Sequence, residues 1–148
     1  MAITQTLVTS FKTQALSGIH AFATSVVRAA TTADTFKMAL YSSSATLDGD
    51  TTAYSTTNEI TGTGYSAGGK TLANVTVASA SGVAYIDFDD VAWTTATFTA
   101  NGALIYNSTQ GNKAVAVLAF GSNKTATAQT FTVALPANSY TTALIRID

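Results

Sequence analysis

Apolar side chains in the first twenty positions recur at every fourth residue. Ile3, Leu7, Phe11, Ala15 and Ile19 share that spacing, and Val8, Leu16 and Phe22 widen the stripe. The pattern predicts an amphipathic helix over residues 4–17, with Gly18 as its C-cap. Such a helix must bury its stripe against the body, a sister subunit or another protein, so Ile3, Leu7, Phe11 and Leu16 are its candidate partner-binding residues. The Ala/Thr-rich stretch up to residue 33 reads as an extended connector. Residues 1–33 are therefore expected to form an arm, and residues 34–148 a separate body.

From residue 34 the period changes to two. Phe36, Met38 and Leu40 alternate with Lys37 and Ala39. Strands are predicted over 71–78, 83–88, 97–106, 113–120, 130–135 and 143–147. Phe131, Val133 and Leu135 share one face and Thr130, Thr132 and Ala134 the other, as a half-buried antiparallel strand requires. Both faces of 115–120 are apolar, so that strand is expected to be central or to lie at an interface. Turn-forming residues separate these runs at 107–112, 121–123 and 136–138. Residues 42–69, rich in Ser, Thr and Gly, read as a long loop with a short strand near Glu59-Ile60; loops of this length are usually functional or bound to something. The expected fold is mainly β: an antiparallel β-sandwich, jelly-roll-like, with one N-terminal amphipathic helix.

Composition sharpens this picture in one respect. Charged residues make up 10% of the 148, against about 25% in ordinary soluble domains. Thr (28) and Ala (27) fill more than a third of the chain. A surface of Thr, Ser and Ala has little side-chain entropy to lose on contact, which favours assembly. A net charge of −1 supplies no field to attract nucleic acid or an anionic membrane. The chain has no Cys, which excludes disulfides, thiolate metal sites and Cys nucleophiles. Neither a signal peptide nor a run long enough to span a membrane is visible, which predicts a soluble protein made in the cytosol.

Candidate chemistry is sparse. Gly64-Tyr65-Ser66-Ala67-Gly68-Gly69-Lys70-Thr71 fits the nucleotide-binding pattern G-x-x-x-x-G-K-[ST] in full. A working phosphate loop needs a helix after it to supply oriented amides. The following residues, 72–77, are rich in β-branched side chains, so a glycine-rich turn leading into a strand is expected instead. Asp87, Asp89 and Asp90 could begin a Ca²⁺ site; the plainer reading is a solvated strand face running into a turn, with Ile86 and Phe88 facing the core. Asp48-Gly49-Asp50 reads as a turn. His20, the single imidazole, has no Cys or second His to complete a metal site, no nucleophile elbow is present, and packing or capping is its expected role. Trp93 and the six Tyr could form a sugar-binding platform, although Trp93 lies two residues from Val91 and so belongs to the core face. Sequons begin at Asn74, Asn107 and Asn123, a number that the Ser/Thr content accounts for. The expectation is a protein with no catalytic residues, no cofactor and no metal.

Several stretches resemble small structural proteins of tailed-bacteriophage virions. They are DTFKMALYSSSATL (34–47), TTAYSTTNEITGTGYSAGG (51–69) and GALIYN (102–107), with Ser10-Phe11-Lys12 and Gly18-Ile19-His20. The resemblance covers most of the chain. It implies a capsid decoration (cement) protein with a short N-terminal arm and a β-sandwich body, often clustered as trimers. Its expected partners are the major capsid protein and copies of itself, with no direct nucleic-acid or membrane contact. Its expected location is the virion, assembled in the host cytoplasm. A phage tail or neck component is the rival within that class, and a carbohydrate-binding or adhesin module is the rival outside it. On this reading, removal of residues 1–20 is expected to leave a folded body that no longer binds the capsid.

Overall fold

A computed structural model describes residues 2–16, 18–22 and 32–148, without the side chains at 12, 13 and 16. The chain is mainly β and antiparallel. Its strands are β1 (Thr6–Leu7), β2 (Phe36–Tyr41), β3 (Lys70–Thr71), β4 (Thr76–Ala80), β5 (Val83–Asp87), β6 (Val91–Asn107), β7 (Lys113–Val133) and β8 (Ile145–Ile147), and one short helix, α1, spans Thr9–Leu16. A five-stranded sheet has the order β1-β7-β6-β2-β3, and a three-stranded sheet the order β4-β5-β8.

The β6–β7 hairpin is the spine. It runs from Asn107↔Lys113 beside its turn to Val91↔Val133 at its far end. Pairing with β6 resumes beyond the predicted turn at 121–123, so two predicted strands form one β7. The Gly-Ser-Asn stretch is absorbed as a bulge: Asn101 alone spans the interval that residues 120–123 fill on β7. Gly121 has φ +76 there, and Asn101 Nδ2 donates to Asn123 Oδ1 at 2.9 Å. Bulges re-aim a strand without ending its pairing. Residues 114–118 are all buried, and β7 lies between β1 and β6. Its two apolar faces follow from that central place. By contrast, the predicted 71–78 strand divides: β3 extends the large sheet, and β4 begins the small one.

The first twenty residues depart most from expectation. The predicted helix over 4–17 does not form as one element. Thr6 and Leu7 pair with Val117 and Ala116, Ile3 bridges to Leu47, and the α1 helix is confined to Thr9–Leu16. Thr4, Thr6, Val8 and Thr9 are β-branched and disfavour helix, while the free edge of β7 offers ladder bonds. Where α1 ends, Gly18 N donates to Ala15 O (3.1 Å) and Ile19 N to Gln14 O (2.9 Å), a Schellman arrangement.

These residues are part of the body and not a separate arm. Val8 is 0% and Phe11 4% exposed, within the main core cluster. The Phe11 ring meets Phe22 edge-on at 6.0 Å, and Phe22 stacks on Phe36 at 4.4 Å. Removal of residues 1–20 is therefore expected to unfold the protein, because it uncovers Val115–Val117 and empties the Val8 and Phe11 sites. Phe11→Ala alone should cost about 3 kcal/mol, measurable by urea denaturation. A truncated chain with the wild-type melting temperature would contradict this. The connector predicted up to 33 falls largely on residues 23–31, outside the described residues.

Candidate functional site

The loop over 42–69 is held down by one carboxylate. Glu59 sits opposite Tyr41 in a bridge. Its Oε1 accepts from the Tyr65 hydroxyl (2.6 Å) and from the Gly68 amide (2.7 Å), and its Oε2 accepts from the Tyr54 hydroxyl (2.7 Å). Tyr65 Oη also accepts from the Leu40 amide at 2.9 Å, tying the loop to β2. The Tyr106 hydroxyl donates to Gly68 O at 2.7 Å, Tyr41 donates to Ser55 O at 2.6 Å, and Tyr54 stacks on Tyr106 at 4.6 Å. Burial pushes the phenols of Tyr41, Tyr54, Tyr65 and Tyr106 above their usual range, and the Glu59 charge adds to the rise in each. Four tyrosines from β2, β6 and the loop itself thus converge on residues 54–68.

This network settles what the Gly64–Thr71 stretch does locally. It leads into β3, which pairs with Lys37 and Met38, and no helix follows. The Gly68 amide, which would face a phosphate in a nucleotide loop, is taken by Glu59. Gly69 N donates to Ser66 O. Lys70 Nζ donates to Ala92 O and stands 5.9 Å over the Trp93 ring. An internal carboxylate therefore occupies the amide that the motif would offer to a ligand.

His20, Asp34 and Asn107 form a second buried polar group. Asn107 is 0% exposed. Its Oδ1 accepts the Thr109 and Gln110 amides, each at 3.1 Å, which fixes the amide's orientation. Its Nδ2 donates to Asp34 Oδ2 (2.8 Å) and faces His20 Nδ1 (3.0 Å). Nδ1 is then an acceptor, so the ring proton is on Nε2 and is donated to Gln14 Oε1 at 2.8 Å. Asp34 Oδ2 also accepts the Ala21 amide at 2.9 Å. The group joins α1, the chain after it and the β6–β7 turn around a cage of phenyl rings, with Phe11 5.0 Å from the imidazole. It cross-links segments that are far apart in the chain. Asn107, read in sequence as a turn residue and a sequon, is its hub.

The acidic cluster does not converge. Asp89 Oδ2 accepts from Asn74 Nδ2, Asp90 Oδ1 accepts the Leu135 amide at 2.7 Å, and both are exposed while Asp87 is 1% exposed. Among the described residues no three His, Cys, Asp or Glu side chains are placed to hold a metal ion. The expected solvated face at 87 is in fact interior. Asp87 Oδ1 accepts the Phe88 amide at 2.9 Å, and Oδ2 makes no hydrogen bond of ordinary geometry. Burial raises its pKa, the Phe88 and Leu144 amides oppose the rise, and Asp90 adds to it.

A raised carboxyl pKa means that the native state keeps its proton where the unfolded chain has released it. Stability is then lost as pH climbs above the ordinary carboxylate range. Asp87→Asn should accordingly stabilise the protein at pH 7 by about 1 kcal/mol, and the gain should vanish in acid. Melting temperatures of both proteins across that range test this, and an equal gain at every pH would contradict it.

Trp93 is 1% exposed, packed edge-on against Phe98 (6.5 Å) and Phe131 (6.2 Å). Tyr65 lies 6.1 Å from it with its hydroxyl engaged. The pair is core and offers no open platform for a sugar. The predicted docking stripe is also turned inward. Phe11 is buried, and Ile3 and Leu7 are half-buried against the core. The Ile3 side chain occupies the space beside Gly102, 2.8 Å from where a Cβ would stand. The Leu16 side chain lies outside the described residues.

What faces solvent instead is the outer side of the β6–β7 ribbon. Thr94, Thr95, Thr97, Thr99, Thr125, Thr127, Thr130 and Thr132 are exposed, with the Thr99 and Thr125 hydroxyls bonded at 2.8 Å. Within β6 and β7 the charged residues are Lys113 and Lys124. Beside the ribbon lies a half-open groove of about 490 Å³, lined by Leu118, Phe120, Phe131, Val133, Leu135 and Leu144 among others. Among the described residues no helix is long and apolar enough to cross a membrane. Compared with known protein families, curated proteins and solved structures, the chain matches none.

Proposed function

We propose that the chain is a non-enzymatic structural protein of a phage particle, a decoration protein that bridges adjacent major capsid subunits and stabilises the shell. In this reading the two sheets form the sandwich body, copies associate with one another, and the assembled virion is the protein's location. The observation that carries the proposal beyond the sequence resemblance is the threonine-paved outer side of the β6–β7 ribbon, poor in charge and backed by a buried core. Threonine has little rotamer freedom to lose and both a methyl and a hydroxyl to present, so each contact costs little ordering. Modest contacts repeated across a lattice then add through effective concentration. The network around Glu59 keeps the 42–69 loop in one shape, a second surface suited to docking without reorganisation.

The test is to add purified protein to phage heads that lack it and to image the product by cryo-electron microscopy. Saturable binding at lattice-repeated sites is expected, with capsids that survive higher temperature. Thr97→Lys with Thr125→Lys should weaken binding at least tenfold while leaving the fold intact. Density confined to the tail or neck would replace this reading with the tail-component one. Binding to neither would remove the particle assignment.

A further inference from the structure

The three-stranded sheet has an edge that no other described strand pairs with. Ser81 and Gly82 connect β4 to β5 with φ +52 and +82, the pattern of a two-residue type I′ hairpin. The flanking Ala80↔Val83 pair is then hydrogen-bonded, and so are Ala78↔Tyr85 and Thr76↔Asp87 two and four residues on. It follows that the N–H and C=O of Val77 and Ser79 point away from β5. Among the described strands none pairs with that side of β4. Natural edge strands are guarded by charges, Pro, bulges or brevity. The other edge of this sheet, β8, is three residues long and carries Arg146. Thr76-Val77-Ala78-Ser79-Ala80 has none of these guards, and Val77 is 53% exposed.

We propose that two copies of this chain join by their β4 edges, antiparallel about a two-fold axis at Ala78, forming one continuous six-stranded sheet. The two outward-facing residues, 77 and 79, flank Ala78 symmetrically. In this register Val77 of one copy meets Ser79 of the other, and all four outward backbone groups of each strand are bonded. A strand without charge meets itself with no like-charge repulsion. Val77 lies opposite Ile86 within each copy, so the join unites two exposed apolar patches across the axis. This pairing stands on the strand geometry and does not depend on the particle assignment.

Sedimentation of the full chain across micromolar to submillimolar concentrations should show a reversible dimer. The chain contains no Cys, so Ala78→Cys introduces a single thiol. Directly opposed residues can form a disulfide, whereas diagonal neighbours about 7–8 Å apart are too distant. Mild oxidation should therefore link Ala78→Cys into a covalent dimer and leave Val77→Cys largely unlinked. Ser79→Pro removes an outward N–H that β5 does not use and should weaken dimerisation at least tenfold with little change in melting temperature. If that variant fails to fold, Val77→Lys gives the same reading by placing like charges near the axis. A monomer at every concentration overturns the proposal. So does a dimer or trimer that persists in Ser79→Pro or Val77→Lys, or one that leaves Ala78→Cys unlinked.

Discussion

Gly69→Ala should destabilise the protein by about 4 kcal/mol or more, at the extreme of what single substitutions do. A Cβ at this position would stand 1.8 Å from Met38 O, 2.6 Å from Met38 C and 2.8 Å from Ala39 Cα. All three are backbone atoms of β2, the strand between β6 and β3, so no side chain can swing aside. The residue also has φ +71, a conformation that costs a non-glycine residue roughly 1–2 kcal/mol by itself. To admit the methyl, β3 must leave β2, breaking the Met38↔Lys70 and Lys37↔Thr71 pairs and pulling Gly68 from Glu59. Gly82→Ala is the control. Its φ is +82 with nothing within 4 Å of the added methyl, so it should cost only the conformational term, about 1–2 kcal/mol. Urea unfolding of the two variants separates steric collision from backbone strain. Equal losses would show that the approach to β2 has no consequence.

Alkaline pH is expected to unfold the protein steeply above pH 10. Tyr41 and Tyr106 are 1% and 2% exposed, and Tyr54 and Tyr65 donate to the Glu59 carboxylate. Burial first, and then the Glu59 charge, raises all four phenols above their unfolded value near 10. Below pH 10 both states are protonated and no stability is lost. Above it the unfolded chain releases protons that the native state retains, so stability falls as pH rises. Each such phenol contributes about 1.4 kcal/mol per pH unit, and a domain stable by roughly 5–15 kcal/mol cannot withstand several of them for long. Tyrosinate absorbance should therefore rise together with loss of the β signal in circular dichroism. Full ionisation of a still-folded protein would contradict this. Glu59→Gln should cost about 1–2 kcal/mol at pH 7, because it weakens charge-assisted bonds. It should also flatten the alkaline fall by removing the carboxylate that opposes phenolate formation.

The candidate sites in the sequence fared according to whether they depended on context. The match at Gly64–Thr71 is complete as a string, yet a phosphate loop is made by the helix that follows it. The residues after Thr71 foretold a strand and not a helix there, and the chain passes from β3, ending at Thr71, to β4, beginning at Thr76. Glu59 carried no signal of its own: a carboxylate in a Ser/Thr-rich loop looks solvated until Tyr54, Tyr65 and Gly68 are brought around it. Asn107 was likewise invisible, since its partners Asp34 and His20 lie 73 and 87 positions away in the chain. Asp87 misled in the opposite direction, because alternation placed it outside whereas the approach of Leu144 and Phe88 encloses it.

Alternating apolar and polar residues, frequent β-branched side chains and turn chemistry were enough to specify an antiparallel β protein, because the side-chain period of a strand is a local property. The same local information located β2, β5 and most of β6 and β7, and it made β7 a central strand through its two apolar faces. Tertiary structure alone decided the rest. An i+4 stripe at Ile3, Leu7 and Phe11 fits a helix, but the vacant edge of β7 took Thr6 and Leu7 into the sheet and the core took Phe11. Helix formation there gains only intrasegment bonds, whereas strand pairing gains ladder bonds and burial together. The predicted docking stripe thus became part of the body, while the threonine ribbon and the β4 edge are left open among the described residues.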